Sequence, residues 1–293
     1  MTVTAPASII PTRADSPGRR FTRRFFKHKL ALTGLAVLLV LALAAIFAPA
    51  ITHAAPDTQD LTIIGTPTAP SHVHPMGTDE LGRDSLTRVL YGARVSLTVG
   101  LVSALIATFL GTLIGALSGY YGGSVDTLLM RLTDVVLSIP LLPLVILLSG
   151  LLRPSVALLI CIIGGLGWMG TARLVRGQFL SLREREYVEA SRALGGSANR
   201  VMFRHILPNA IGPIVVSTTL AVGSAIMLES ALSFLGLGVQ PPTPTWGNLL
   251  NNASQWLQGA PWLAIFPGVM ILITVLSVNF LGDGLRDALD PRN

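Results

Sequence analysis

Residues 30–51 read LALTGLAVLLVLALAAIFAPAI, without one charged side chain. About 20 apolar residues in a helix cross the hydrocarbon of a bilayer, so this stretch makes lipid the solvent. It is too long for the apolar core of a signal peptide, and residues 49–55 imitate a cleavage site only weakly. A retained first span is expected. Working outward, five further apolar segments follow, at 95–117, 128–150, 155–174, 211–234 and 263–281. The third contains Asp134, Pro140 and Pro143. The expected fold is all-α and integral to the membrane, with six spans and both termini on one side. Composition agrees: of 293 residues 51% are hydrophobic and 12% charged, against about a quarter charged in soluble domains. A secreted disulfide scaffold, a disordered tail and an ordinary cytosolic enzyme are excluded.

Lys and Arg choose the side. Seven of the 21 precede the first span: Arg13, Arg19, Arg20, Arg23, Arg24, Lys27 and Lys29. Seven more lie between spans four and five: Arg173, Arg176, Arg183, Arg185, Arg192, Arg200 and Arg204. Arg131, Arg286 and Arg292 join this side, leaving Arg83, Arg88, Arg94 and Arg153 opposite. Both termini are therefore expected in the cytoplasm. The net charge of +6 follows from topology and anionic membrane lipid, with no nucleic acid needed. The chain divides into a basic cytoplasmic segment (1–29), the first span (30–51), an outer loop (52–94), a membrane core (95–282) and a cytoplasmic tail (283–293). The lone Cys161, in an apolar run, reads as a small buried hydrophobe.

In the outer loop, Leu86, Val89 and Leu90 form an apolar stripe, while Arg83, Asp84, Thr87 and Arg88 face elsewhere. Asp84 is placed to cap a short amphipathic helix on the membrane surface, leading into span two. That helix either anchors the span or meets an external partner protein. Between spans five and six, Pro241, Pro242 and Pro244 exclude helix. Trp246, Trp256 and Trp262 are spaced as for side chains at headgroup level. A re-entrant or surface-lying helix is expected around 248–257.

The inner connection, 176–209, is far longer than a link requires. Ser181 and Glu184 read as a capping box for a helix running to Leu194. Gly195 suits the left-handed position that ends it, and Ser197 caps a second short helix through His205, which Leu207-Pro208 stops. Tyr187, Ala190, Ser191 and Leu194 share one face. Arg185 and Arg192 lie within pairing distance of Glu189 along the helix. Pairing accounts for the charges but not for the small face or the double-glycine turn, which suit docking of another protein.

No G-x-x-x-x-G-K-[ST] loop is present, and the chain's two lysines, Lys27 and Lys29, lie in no glycine-rich setting. H-E-x-x-H, G-x-S-x-G and C-x-x-C are absent too, so no catalytic residue is assigned. Asp134 and Glu229 are the acids expected within the membrane and are candidates for a transport path; Asp134 has Arg131 one turn away, and Glu229 stands near the outer interface. Gly111, Gly115 and Gly119 repeat every four residues, and Gly164, Gly165, Gly167 and Gly170 crowd span four. Such spacing permits close helix packing in lipid.

The residues Glu189-Ala190-Ser191, Gly195 and Leu207-Pro208 resemble the EAA motif of permease subunits of bacterial ABC importers. Ser191 replaces the usual Ala, and His205 the usual Ile. Arg204-His205-Ile206-Leu207-Pro208-Asn209 is similar to the peptide and nickel importer subfamily. So are three further stretches: His74 to Asp84, Ala231 to Trp246, and Gly282 to Pro291. All three resemble its second, C-type permease. The resemblance implies the six-span type I importer fold with a cytoplasmic coupling loop. It implies three kinds of partner besides lipid: a homologous second permease, two ATP-binding subunits, and an extracytoplasmic substrate-binding protein. ATP and Mg would be held by the ATPase subunits, and this chain would hold no cofactor and no metal. Glu189, Ala190, Ser191, Gly195, Leu207 and Pro208 would couple to an ATPase subunit, with Arg185, Arg192, Arg204 and His205 orienting the loop. Dipeptides or oligopeptides are the expected cargo. Nickel or another small peptide-like solute is the alternative within the same machinery, and an ion-coupled secondary transporter is the alternative of another class. His72 and His74 make a poor metal site, since His74 belongs to the family's His-Pro-x-Gly-Thr-Asp run.

Overall fold

The computed structural model describes residues 17–152 and 155–289. Arg13, Arg153, Arg292 and the end of the stretch from Gly282 to Pro291 lie outside them. The described residues form helices and no named strand. The first helices are α1 (Pro17–Phe25), α2 (Lys29–Ile46), α3 (Ala48–Thr52) and α4 (Ser85–Tyr121). Next come α5 (Gly123–Ser138), α6 (Leu141–Leu151), α7 (Val156–Gly165), α8 (Met169–Leu182) and α9 (Glu186–Ala193). Then α10 (Ala198–Arg200) runs through a π-helical turn, Val201–Ile206, into α11 (Leu207–Phe234). Finally α12 (Trp246–Ala253) ends in a 3-10 turn before α13 (Trp262–Leu289). Four helical stretches are long and apolar enough to cross a membrane, and six spans result when each of two bent pairs counts once.

The bends follow from local chemistry. Pro140 has no N–H and pushes Ile139 into extended backbone (φ −85°, ψ 122°). The third span therefore breaks between α5 and α6, at 78°. The fourth bends by 40° at residues 166–168, between α7 and α8. The first expected span also stops early: α2 ends at Ile46 and Pro49 opens α3. Span five starts earlier than expected, because the second loop helix does not stop at Leu207-Pro208. Leu207 N–H reaches back five residues to Met202 O, and this wide turn admits the proline. The Asn209 side-chain amide donates to His205 O at 2.7 Å.

Helix α4 is the central post. It packs on α8, α11 and α7, while α13 bridges α11 to α2. The glycine stripe explains the close fit. A Cβ at Gly111 would stand 2.7 Å from Thr171 Cβ, at Gly115 2.8 Å from Val175 Cβ, and at Gly119 2.6 Å from Phe179 Cβ. The backbones of α4 and α8 thus touch where side chains would intervene. Gly165 and Gly170 meet nothing within 4 Å and leave an open face.

The outer segment is folded rather than loose. Asp84 caps α4 as expected, accepting from Thr87 N at 2.8 Å, and His74 Nδ1 lies 3.0 Å from Asp84 Oδ1. The expected separate surface helix is not formed, because α4 runs unbroken from Ser85 across the 94/95 boundary. Nor do Thr87 and Arg88 face solvent; each is 1% exposed. Arg88 reaches Pro56 O at 3.2 Å and Asp79 Oδ2 at 3.7 Å, so the outer segment covers the polar side of this helix. Trp246 is likewise a core residue and not a headgroup anchor: it is fully buried, and its Nε1 donates to Val89 O at 3.1 Å. Thr245 and Asn248 build a reciprocal capping box for α12, which places a short helix where one was expected. Cys161 is exposed, not buried, because it lies on the outward face of α7.

Candidate functional site

The inner connection is built on α9. The expected capping box does not form, since Ser181 is still inside α8 and α9 begins after extended Arg185 (φ −82°, ψ 142°). Glu186 and Glu189 occupy the first turn, where the helix dipole favours acids. Val188 is fully buried in a cluster with Phe179, Val175, Val201, Met202 and Ile206. That cluster fixes α9 against α8 and the π-helical turn. The opposite face, with Tyr187, Ala190 and Leu194, is exposed, and Leu194 at its tip is 89% exposed.

Glu189 is exposed too. Neither expected pair, with Arg185 or with Arg192, is formed among the described residues. Arg192 lies instead over the Tyr120 ring, 5.2 Å from its centroid, a cation–π contact with the end of α4. Among the described residues the carboxylate of Glu189 has no partner. The turn after α9 is a complete Schellman motif. Gly195 N donates to Arg192 O and Gly196 N to Ser191 O, each at 2.9 Å. Gly195 is left-handed, at φ +81°. Ser197 Oγ accepts from Arg200 N at 3.4 Å, the expected cap. Arg204 is exposed and His205 half-buried, while Leu207 and Pro208 open α11.

The inner ends of the spans are tied by ion pairs with no local sequence signature. Asp126 accepts from Arg176 Nε and Nη2, each at 2.6 Å, and from Ser118. Asp134 pairs with Arg173 at 2.6 Å, both more than half exposed. Its partner is thus on α8, not Arg131 on its own helix. Glu229 does not reach the outer interface: it is fully buried. Its carboxylate accepts from Ser96 Oγ at 3.0 Å and Ser233 Oγ at 2.8 Å. Ser96 Oγ in turn accepts from Trp246 N at 3.3 Å. Glu229 therefore joins α4, α11 and the start of α12.

Neither acid lines the larger cavities. One of about 380 Å³ is walled by small and aliphatic side chains, Leu141, Ile163, Leu220 and Leu228 among them, together with Ser103, Thr171, Ser217 and Ser224. A second, of about 490 Å³, is walled by Pro213, Val216, Ser217, Leu220 and Arg286. They share Ser217 and Leu220, so together they form one groove along α11. No Asp, Glu, Lys or Arg side chain lines the first, and Arg286 stands at the far end of the second.

Comparison with known proteins agrees with this architecture. Residues 111–293 match the family model "Binding-protein-dependent transport system inner membrane component". Residues 16–70 match "N-terminal TM domain of oligopeptide transport permease C". The chain is 42% identical over 280 residues to the dipeptide transport system permease protein DppC of Alkalihalophilus pseudofirmus, covering 95% of this chain and 91% of that one. It is 44% identical over 271 residues to the oligopeptide transport system permease protein OppC of Escherichia coli K12, covering 92% and 90%. A chain of the inward-facing MetNI methionine ABC transporter shares the fold. Its TM-score is 0.52 at 18% identity, over 69% of this chain and 96% of that one. The fold is the six-span, all-α type I ABC importer permease fold, and the chain belongs to the family of binding-protein-dependent transport system inner membrane components.

Proposed function

We propose that this chain is the C-type permease subunit of an ATP-driven importer of dipeptides or oligopeptides. It sits in a bacterial cytoplasmic membrane with both termini inside. It forms half of the translocation path beside a homologous second permease. Two ATP-binding subunits dock on the cytoplasmic loop and carry out hydrolysis, and a substrate-binding protein delivers cargo from outside. The peptide class is supported by the names of the dipeptide and oligopeptide relatives. The groove along α11 is the natural wall of the path: hydroxyls and small side chains can hydrogen-bond a peptide backbone without selecting its side chains.

The observation that carries the coupling role is the free carboxylate of Glu189 beside an exposed small face, held by the buried Val188 anchor and the Gly195 turn. A free acid in a helix's first turn suits charge-assisted hydrogen bonds from a partner. Closure of the ATPase pair would then move α9, and with it α11, switching the groove between inward and outward access as a rigid-body transition. Glu189→Arg tests this. Uptake of a required peptide should be lost in a growth assay, with the permease still present in the membrane. Wild-type growth of that variant would overturn the coupling role.

A further inference from the structure

Where the outer segment closes over the starts of α4 and α13 it leaves a small, partly open cavity of about 20 Å³, which shares no lining residue with the α11 groove. Asp79, Glu80, Ser85, Arg88 and Trp262 line it, with Asn252 and apolar neighbours from α12 and α13. The Asp79 carboxylate is already engaged. Oδ1 accepts from Leu81 N and Arg83 N at 3.0 Å, and Oδ2 from Arg83 Nε at 2.7 Å. Arg88 gives Nη1 to Pro56 O, while its Nε stands 3.7 Å from Asp79 Oδ2, beyond hydrogen-bond reach.

Four residues lining this cavity carry a buried atom with no hydrogen-bond partner among the described residues: Glu80 Oε2, Ser85 Oγ, Arg88 Nε and Trp262 Nε1. Arg88 is 1% exposed and Ser85 7%. Buried polar groups are nearly always paired, so four together mark a ligand. Its chemistry can be read from them. Two are donors, Glu80 Oε2 is an acceptor, and a hydroxyl serves as either. Arg83 and Arg88 face Asp79, Glu80 and, with a smaller influence, Asp57, so no excess positive charge selects an anion, and the two donors on the cavity disfavour a cation. One water needs roughly 10–15 Å³ of such space and two to four polar partners.

We infer that this cavity binds a single neutral water molecule. It accepts from Arg88 Nε and Trp262 Nε1 and donates to Glu80 Oε2 and Ser85 Oγ. It thereby joins the outer segment, the first turn of α4 and the first turn of α13. Gly77 makes room for this junction, since a Cβ there would stand 2.8 Å from Trp262 Nε1. The inference rests on the fold alone and not on the transported solute.

The test is a density map of the full transporter in lipid nanodiscs, at a resolution that shows ordered water. One peak within about 2.7–3.2 Å of all four atoms is expected. No peak, or side chains turned to pair with one another, overturns the inference. Replacing chloride by gluconate at constant ionic strength should leave the melting midpoint unchanged; a shift would mean an anion and overturn it as well. Trp262→Phe, and the milder Ser85→Ala, should each raise amide exchange over residues 77–85 several-fold while sparing α9. Exchange equal to wild type in both would sink the bridging role.

Discussion

Replacement of Gly195 by other residues separates backbone conformation from side-chain bulk in the inner connection, the loop proposed to couple to an ATPase subunit. Its φ of +81° lies in the left-handed region, and a Cβ added there meets nothing within 4 Å. The cost of Gly195→Ala is therefore purely conformational. A left-handed L-residue costs about 1–2 kcal/mol, a factor of about 5–30 in the population of the native turn. Asn tolerates this conformation better than Ala, although it is larger, whereas a β-branched residue tolerates it worst. The expected order of defect is Gly195→Asn below Gly195→Ala below Gly195→Val. The assay is peptide uptake per ATP hydrolysed in proteoliposomes holding the whole importer. Gly195→Ala should lose up to about 5–30-fold, while the thermal midpoint of the membrane core stays at its wild-type value. A defect ranked by side-chain volume, with Asn worse than Ala, would refute the conformational reasoning. Wild-type coupling in Gly195→Val would refute the role of the turn itself.

Gly115→Val should force α4 from α8, where the new side chain meets Ala172 O and Val175 Cβ. The expected loss is about 1–3 kcal/mol, read as a lower melting midpoint in detergent, whereas Gly165→Ala, with open space, should leave it unchanged. Asp126→Ala strands Ser118 and Arg176. It should cost about 1–3 kcal/mol and raise amide exchange at the α4–α5 turn; unchanged exchange would count against the tie. Glu229→Ala removes the shared acceptor of Ser96 and Ser233 and should destabilise by about 1–3 kcal/mol. Glu229→Gln, which keeps an acceptor, should recover most of that in the same melt.

The sequence pattern disclosed what depends on local chemistry and lipid. Apolar runs located spans one, two, five and six, with Glu229 the one charged side chain among the four. Asp84, Ser197 and Gly195 announced their caps and turn because each acts within a few residues of itself. Long-range effects were hidden. Arg88 reads as a surface charge on a helical wheel, yet an outer segment tens of residues away buries it. Ser181-x-x-Glu184 has the letters of a capping box, but the packing of Phe179 beneath Val188 draws α8 onward to Leu182. Trp246 resembles a headgroup anchor until its indole meets Val89 O. In the inner connection, the sequence pointed to Glu189 and Gly195. It did not show that Arg192 would turn away to Tyr120 and leave the carboxylate free.

The π-helical turn gives the loop a mechanical character. Because it carries the chain past Pro208, residues 198–234 form one 37-residue helical stretch instead of two joined by a hinge. At 1.5 Å per residue this is a rod of roughly 55 Å, and a tilt of about 10° about its midpoint moves each end by about 5 Å. If the loop couples as proposed, a push delivered at Ser197 travels along one continuous helix, with Pro213 the point inside α11 where it is most easily bent. It emerges, reversed in direction, at Glu229 and Ser233, where the rod is bolted to α4. On the proposed coupling, the loop and the far end of α11 would be two ends of one lever, with the groove along its shaft.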